Sequence, residues 1–271
     1  MAIEESTNRH ANGHQNLDPS KLLPGTLVPS EHGEVSRNLA HASNGYHRPR
    51  SQRGPQLNGR PTTITLYEPS DLADSPLLPS IRKLINEAFG ISHKKDGVLP
   101  GNTQRLQSED QYLIELGNAP GTFTYIITYA SENEHEVLAT ASSKRFHGAP
   151  KVVTSIDSLQ KQTFKRQAAA SANDEEWELS MMAVLPSLQR QGLSGVLMRA
   201  AEEEVQRRFL KTREESGEAK GLVMLLTTLK EINEVFYAKR GYAVDYETRH
   251  PPGHLGSANG FGVVHMSKRV V

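Results

Sequence analysis

The stretch Leu179-Ser-Met-Met-Ala-Val-Leu-Pro-Ser-Leu-Gln-Arg-Gln-Gly-Leu-Ser-Gly195 decides the fold: an apolar strand, a turn marked by Pro186, then small residues opening an amphipathic helix. The first N–H groups of a helix have no partner inside it, and the macrodipole places positive charge there, so an anion such as a pyrophosphate is favoured at that end. Gly192, Ser194 and Gly195 keep the approach sterically open. The bland alternative is that the two glycines only permit close helix packing.

Working upstream, Trp177 to Val184 reads as the strand leading into this turn, and Gly192 to Leu210 as the helix leaving it. Thr63-Ile-Thr-Leu-Tyr67 alternates as an edge strand does, and Pro76 to Phe89 carries Leu77, Ile81, Leu84, Ile85 and Phe89 at helical spacing. Thr103 to Leu116 reads as a second helix, ended by Gly117 and Pro120. Thr122 to Ala130 and Glu136 to Phe146, joined by the polar Ser131-Glu-Asn-Glu-His135, read as an antiparallel hairpin. His147 to Asp174, with a Lys/Gln-rich run and a small-residue tract, reads as an insertion, placed at about 147–175.

Downstream come an apolar strand at Gly221 to Thr228, a short helix at Ile232 to Arg240, and strands at Tyr242 to Tyr246 and Gly262 to Met266. Strand, helix, strand, helix and further strands predict a mixed α/β sheet.

At 271 residues the chain holds one large domain or two small ones, and its hydrophobic fraction of 36% is low. The shortage lies in residues 1–61, where Tyr46 is the only aromatic and five of the eleven histidines fall. Such a segment buries too little apolar area to offset its ordering entropy, so it is expected to be disordered or loosely attached, with the folded domain at 62–271.

A formal net charge of zero gives no global field for nucleic acid or an anionic membrane. With no cysteine there is no thiolate metal site and no cysteine acyl-enzyme. No run of about 18 apolar residues is present to span a bilayer. The composition points to the cytosol and leaves the nucleus open. His10 and His14 lack the helical setting of a metal pair, and no metal is expected. The run Glu202-Glu203-Glu204 followed by Arg207, Arg208 and Lys211 reads as charge pairing on a solvated helix face. Arg48, Arg50 and Arg53 are too sparse for phosphate binding.

Two further phosphate-binding patterns, G-x-x-x-x-G-K-[ST] and G-x-G-x-x-G, are absent. The quoted turn instead resembles the acyl-CoA signature Q/R-x-x-G-x-G/A of the GNAT acetyltransferase superfamily, with Gln189, Gly192 and Ser194 at its defining positions and serine where the family has Gly or Ala. Asn233-Glu-Val-Phe-Tyr-Ala-Lys-Arg-Gly-Tyr242 is similar to the later element of that family, in which an Asn precedes Phe-Tyr and the helix ends at Gly-Tyr.

The resemblance implies a mixed, mostly antiparallel central sheet flanked by helices, with a strand splayed at the acyl-CoA site. It implies acetyl-CoA as co-substrate and direct transfer to an amine, most simply of a small molecule. Protein lysine, a protein N-terminus, or a non-catalytic acyl-CoA-binding role stays open. The cofactor-binding residues it implies are Met182, Ala183, Val184, Gln189, Arg190, Gln191, Gly192, Leu193, Ser194, Gly195, Asn233 and Phe236. Tyr237 would protonate the departing thiolate, unless it is a core tyrosine.

Glu178, fourteen residues before Gly192, would be the general base; it also reads as a surface glutamate continuing Asp174-Glu175-Glu176. His250 and His254, flanking Pro251-Pro252-Gly253, are alternative bases. Domains of this family often pair as homodimers, and an edge strand near the C-terminus would serve that.

Overall fold

The computed structural model describes residues 49–96, 98–100, 104–117, 119–130, 136–146, 174–216 and 221–271. Their strands are β1 (Arg50–Arg53), β2 (Thr62–Tyr67), β3 (Phe123–Tyr129), β4 (Val137–Arg145), β5 (Glu175–Val184), β6 (Leu222–Leu229), β7 (Ala243–His250) and β8 (Phe261–Arg269). The helices are α1 (Pro69–Ala73), α2 (Leu78–Asp96), α3 (Glu109–Leu116), α4 (Leu193–Ser216) and α5 (Lys230–Ala238). One eight-stranded sheet runs β1-β2-β3-β4-β5-β6-β8-β7. Among its described pairs β5 and β6 alone are parallel, joined through α4 as a strand–helix–strand crossover requires. The sheet is therefore mixed and mostly antiparallel, as expected.

Two apolar layers hold it. On one face Leu72 of α1, Ile81, Leu84 and Ile85 of α2, and Leu106, Tyr112 and Leu116 pack on Ile126, Met181 and Ala183. On the other face Leu193, Leu197, Ala201, Val205 and Phe209 of α4, with Tyr237 and Tyr242, pack on Trp177, Leu179, Met224 and Leu226. The α4 residues recur every three or four positions, which puts them on one stripe. Trp177 is wholly buried; truncating such a side chain to alanine typically costs about 3–5 kcal/mol. Tyr112 ties α3 to the sheet through its hydroxyl, 3.0 Å from Thr124 Oγ1 and 3.3 Å from Ser142 Oγ.

The described sheet includes residues before Thr62. Arg50–Arg53 pairs with β2, so β2 is flanked on both sides and is not the edge strand that its alternation predicts. All four β1 residues are exposed, so hydropathy carries no trace of this strand. Backbone pairing, the Arg50 guanidinium on Glu204 at 2.7 Å, and buried Leu57 hold it instead.

Glu204 corrects a second expectation. The charge pairing is present, with Glu204 and Arg208 four apart, and Glu203, Arg207 and Lys211 are exposed; but the Glu204 side chain is 4% exposed and meets Arg50, Arg207 and Arg208, so the run encloses one buried carboxylate.

The second helix starts at Glu109, not near 103, because Ser108 caps it by accepting from the Gln111 N–H. Just before it, Asn86 Oδ1 accepts from the Arg105 and Leu106 N–H groups and fixes an extended entry. Helix α4 and strands β7 and β8 run beyond their predicted ends, to Ser216, His250 and Arg269. Residues 1–48 of the head, the hairpin turn Ser131–His135 and residues 147–173 of the predicted insertion lie outside the described residues.

Candidate functional site

The site is built from a gap in the sheet. The ladder between β5 and β6 runs from Glu175↔Leu222 to Glu178↔Leu225 and stops. Beyond it β5 continues to Val184, still paired to β4, while β6 continues to Leu229, paired to β8. The sheet thus opens into a cleft between the interior strands β5 and β6. Along that cleft the β6-facing backbone groups of β5 past Glu178 have no strand partner among the described residues.

A bulge lies on the wall of the cleft. Thr140 faces Ala183 and Ser142 faces Ser180, so Ala141 is opposed by both Met181 and Met182. Met181 takes φ 50°, in the left-handed region that one class of bulge uses, there usually with glycine. The inserted residue reverses the alternation. Trp177 and Leu179 point to the α4 layer, whereas Met181 and Ala183 point to the α2 layer.

From Val184 the chain passes through a 3-10 turn, Pro186–Leu188, into the start of α4. Arg190 and Gly192 both have positive φ, 65° and 84°. Among the described residues, the N–H groups from Arg190 to Gly195 donate to no protein acceptor; the first bond of the helix is Val196 N–H to Gly192 O, 3.1 Å. A Cβ on Gly192 would meet nothing within 4 Å, so the space in front of these donors is open. Gln189, Arg190 and Gln191 are exposed, Ser194 and Gly195 are part-exposed, and Leu193 is buried as the anchor of the turn.

Sequence reasoning missed one neighbour of this row. Arg240, beyond α5, sits with its Nη2 3.8 Å from where a Gly195 Cβ would stand. Its guanidinium is fixed by Nη1 donating to Phe236 O at 2.8 Å and by lying 3.5 Å over the Phe236 ring. A fixed cation therefore flanks the unbonded donors. The Lys-Arg-Gly run before Tyr242 carried the signal, but nothing in it says which cation turns back to α4.

Tyr237 lies in the α4 layer, edge-on to Phe236 at 5.0 Å and to Tyr242 at 6.0 Å; its carbonyl accepts from the Arg240 and Tyr242 N–H groups, and its hydroxyl makes no hydrogen bond among the described residues. Burial pushes its phenol well above the ordinary value, against a smaller downward pull from Arg240. It therefore keeps its proton at neutral pH. Asn233 donates to Thr228 Oγ1 at 3.0 Å, closing the foot of α5 against β6. Gly241 has φ 88°, as its place after the helix predicts.

Glu178 occupies the last rung before the cleft, on the face opposite Trp177 and Leu179. Its side chain is about a quarter exposed (27%), and its carboxylate lies 3.6 Å from Lys144 on β4. Lys144 is itself held by Glu115 O at 2.7 Å. Glu178 is thus positioned by a neighbour and is not a free surface acid. His250 and His254 stack on each other at 4.4 Å, and His250 stacks on Phe261 at 4.8 Å while His254 is tilted to it at 5.7 Å, at the far end of β7 and β8. Burial, and then the neighbouring His254, push His250 down. The structure does not bring this pair together with Glu178.

No family model matches the chain, and no curated protein matches it. Among solved structures it is similar to the ribosomal-protein-S18-alanine N-acetyltransferase from Escherichia coli, at 16% identity over 77% of this chain and 94% of that one, TM-score 0.45. It is also similar to a GNAT-family acetyltransferase from Streptococcus pneumoniae, at 13% identity over 78% and 99%, TM-score 0.44. A third is an aminoglycoside 6'-N-acetyltransferase complexed with coenzyme A, at 12% identity over 77% and 97%, TM-score 0.42.

Proposed function

We propose that the chain is a GNAT-type acyltransferase that moves an acetyl group directly from acetyl-CoA to the amine of a small molecule. The observation that carries this reading is the joining of two features by one turn: a cleft with unpartnered strand backbone, and a row of unbonded N–H groups at its mouth. A long ligand with an amide-bearing arm and a diphosphate needs both, at that order along the chain.

The fit is specific. The N–H groups from Arg190 to Gly195, with the Ser194 hydroxyl beside them, would hold the diphosphate, and Gly192 leaves the room. Backbone groups of Met182, Ala183 and Val184 would pair with the pantetheine arm. Asn233 and Phe236 would wall the cleft on the α5 side, and Gln189 and Gln191 would border the diphosphate. When bound, acetyl-CoA supplies an acetyl group activated as a thioester.

Glu178 and Tyr237 fall on opposite faces of the sheet, which separates a base from an acid. Glu178 takes the proton that the amine must lose as its N–C bond forms. Tyr237 gives its phenolic proton to sulfur as the C–S bond breaks. With no cysteine in the chain, no thiol is available to carry the acetyl group in between. Sequential kinetics are expected, and a stable acetyl-enzyme seen by mass spectrometry would overturn direct transfer.

The test is calorimetric titration with acetyl-CoA and CoA, with Gly192→Glu as control, followed by a thiol-release screen over small amines and peptides. Binding that the variant loses supports the reading. A folded chain that binds neither ligand refutes it. A chain that binds both and whose turnover of every amine is nil is a carrier of acyl-CoA, not an enzyme.

A further inference from the structure

Thr227 is the anomaly of β6. The strand is central, and Leu222 to Leu226 are buried, yet Thr227 is exposed. It is the first residue past the end of the ladder on the face shared by Leu225 and Glu178, so its side chain stands in the cleft on the α2 side. Opposite it on β8 is His265, whose Nδ1 lies 3.0 Å from Thr227 Oγ1. Opposite His265 on β7 is Tyr246, stacked on the imidazole at 4.0 Å and 15°.

Three side chains from three strands thus make a continuous polar floor. Val98, Leu99, Phe261, Val263 and Leu255 close one end of it, and Glu178 stands beyond the other. The α4 N-terminus, Tyr237 and Phe236 lie on the opposite side of the sheet. A ligand reaching the cleft from α4 leaves this floor for a second molecule.

We propose that Thr227, His265 and Tyr246 form the seat of the acceptor amine, in which Thr227 Oγ1 accepts an N–H of the amine and His265 orients that hydroxyl by accepting its hydrogen at Nδ1. Thr227 contacts the acceptor, and His265 is a positioning residue. This assigns the acceptor's class as a primary or secondary amine on a short, uncharged stem, because the seat presents a hydroxyl, an imidazole and an aromatic ring. Burial of His265 holds its imidazole near pKa 4 and so neutral at physiological pH, which leaves Nδ1 free to accept. The assignment rests on the acetyltransferase reading above, and the experiment separates the two.

The probe is a bisubstrate analogue, CoA joined through its sulfur to a propylamine by an acetyl linker, titrated beside CoA itself. The analogue is expected to bind the native chain about tenfold or more tightly than CoA, through the added hydrogen bond and the contact made by the stem. Thr227→Val should lose most of that gain and leave CoA affinity within twofold. Thr227→Ser should keep it. His265→Leu should lose it, and His265→Asn, whose amide oxygen can stand near Nδ1, should restore most of it. A Thr227→Val chain that keeps the full gain, or an analogue that gains nothing over CoA in the native chain, overturns the seat while leaving the cofactor site standing. Failure of CoA to bind the native chain overturns the acetyltransferase reading and the seat with it.

Discussion

Glu178 and Leu225 face each other as the last rung of the parallel ladder, and every proposed chemical group lies at or beyond them. A carboxylate at that rung is fixed by the sheet yet opens on the cleft. Glu178→Gln should therefore lower kcat by about 10²–10³-fold, the usual worth of a general base, with CoA affinity unchanged. Stopped turnover assays with parallel CoA titration check this. A variant that keeps full kcat would pass the proton to another acceptor.

Tyr237→Phe removes a hydroxyl that makes no hydrogen bond among the described residues, so little stability should be lost. If the phenol is the acid, kcat falls by about 10²-fold or more while the melting temperature moves by less than about 2 °C. A drop in stability with turnover retained would make Tyr237 a core residue.

Gly192 has φ 84° with open space around it, so Gly192→Ala meets no clash and only a conformational cost of about 1–2 kcal/mol. The turn should shift to relieve it, weakening CoA binding by about tenfold with the fold intact. Calorimetry and circular dichroism together check both halves of the claim. Undiminished affinity would mean that the diphosphate lies elsewhere.

Two buried groups should make the chain acid-sensitive in separate windows. Burial depresses His265 from 6.5 to about 4, so the unfolded chain binds the extra proton first and stability falls as pH drops from about 6.5 toward 4. For Glu204 burial acts upward, but hydrogen bonds from Arg207 and Arg208 and the charges of Arg208 and Arg50 prevail and hold it at about 2. Its contribution is complete above about 4.5 and is lost as pH falls toward 2. Urea unfolding across pH should show His265→Asn flattening only the upper window. Equal slopes in native and variant chains would contradict the assignment.

The order of elements was legible because apolar periodicity dictates it: the hairpin, α2, the β5 to α4 turn and the α5 block all fall where the pattern puts them. The left-handed φ of Gly241 was legible from its place just after the helix, whereas at Gly192 only the open approach was. What hydropathy cannot carry is pairing by backbone and charge, so β1 was missed and Glu204 read as solvated. Long-range juxtaposition was missed for the same reason. Nothing local in the sequence says that Arg240 turns toward Gly195 or that His265 meets Thr227, since each pair is joined only by the sheet and the packing.

The doubled position at Met181 and Met182 means that β5 keeps two phases, one before and one after it. Losing a single residue between Ser180 and Ala183 would close the bulge into a plain strand, with Ala183 still opposite Thr140 and Val184 still opposite Ala139. Gaining one would turn the end of the strand over, sending Ala183 toward α4 and Val184 toward α2. Both methionines should then tolerate exchange for unbranched apolar side chains far better than the segment tolerates a one-residue insertion.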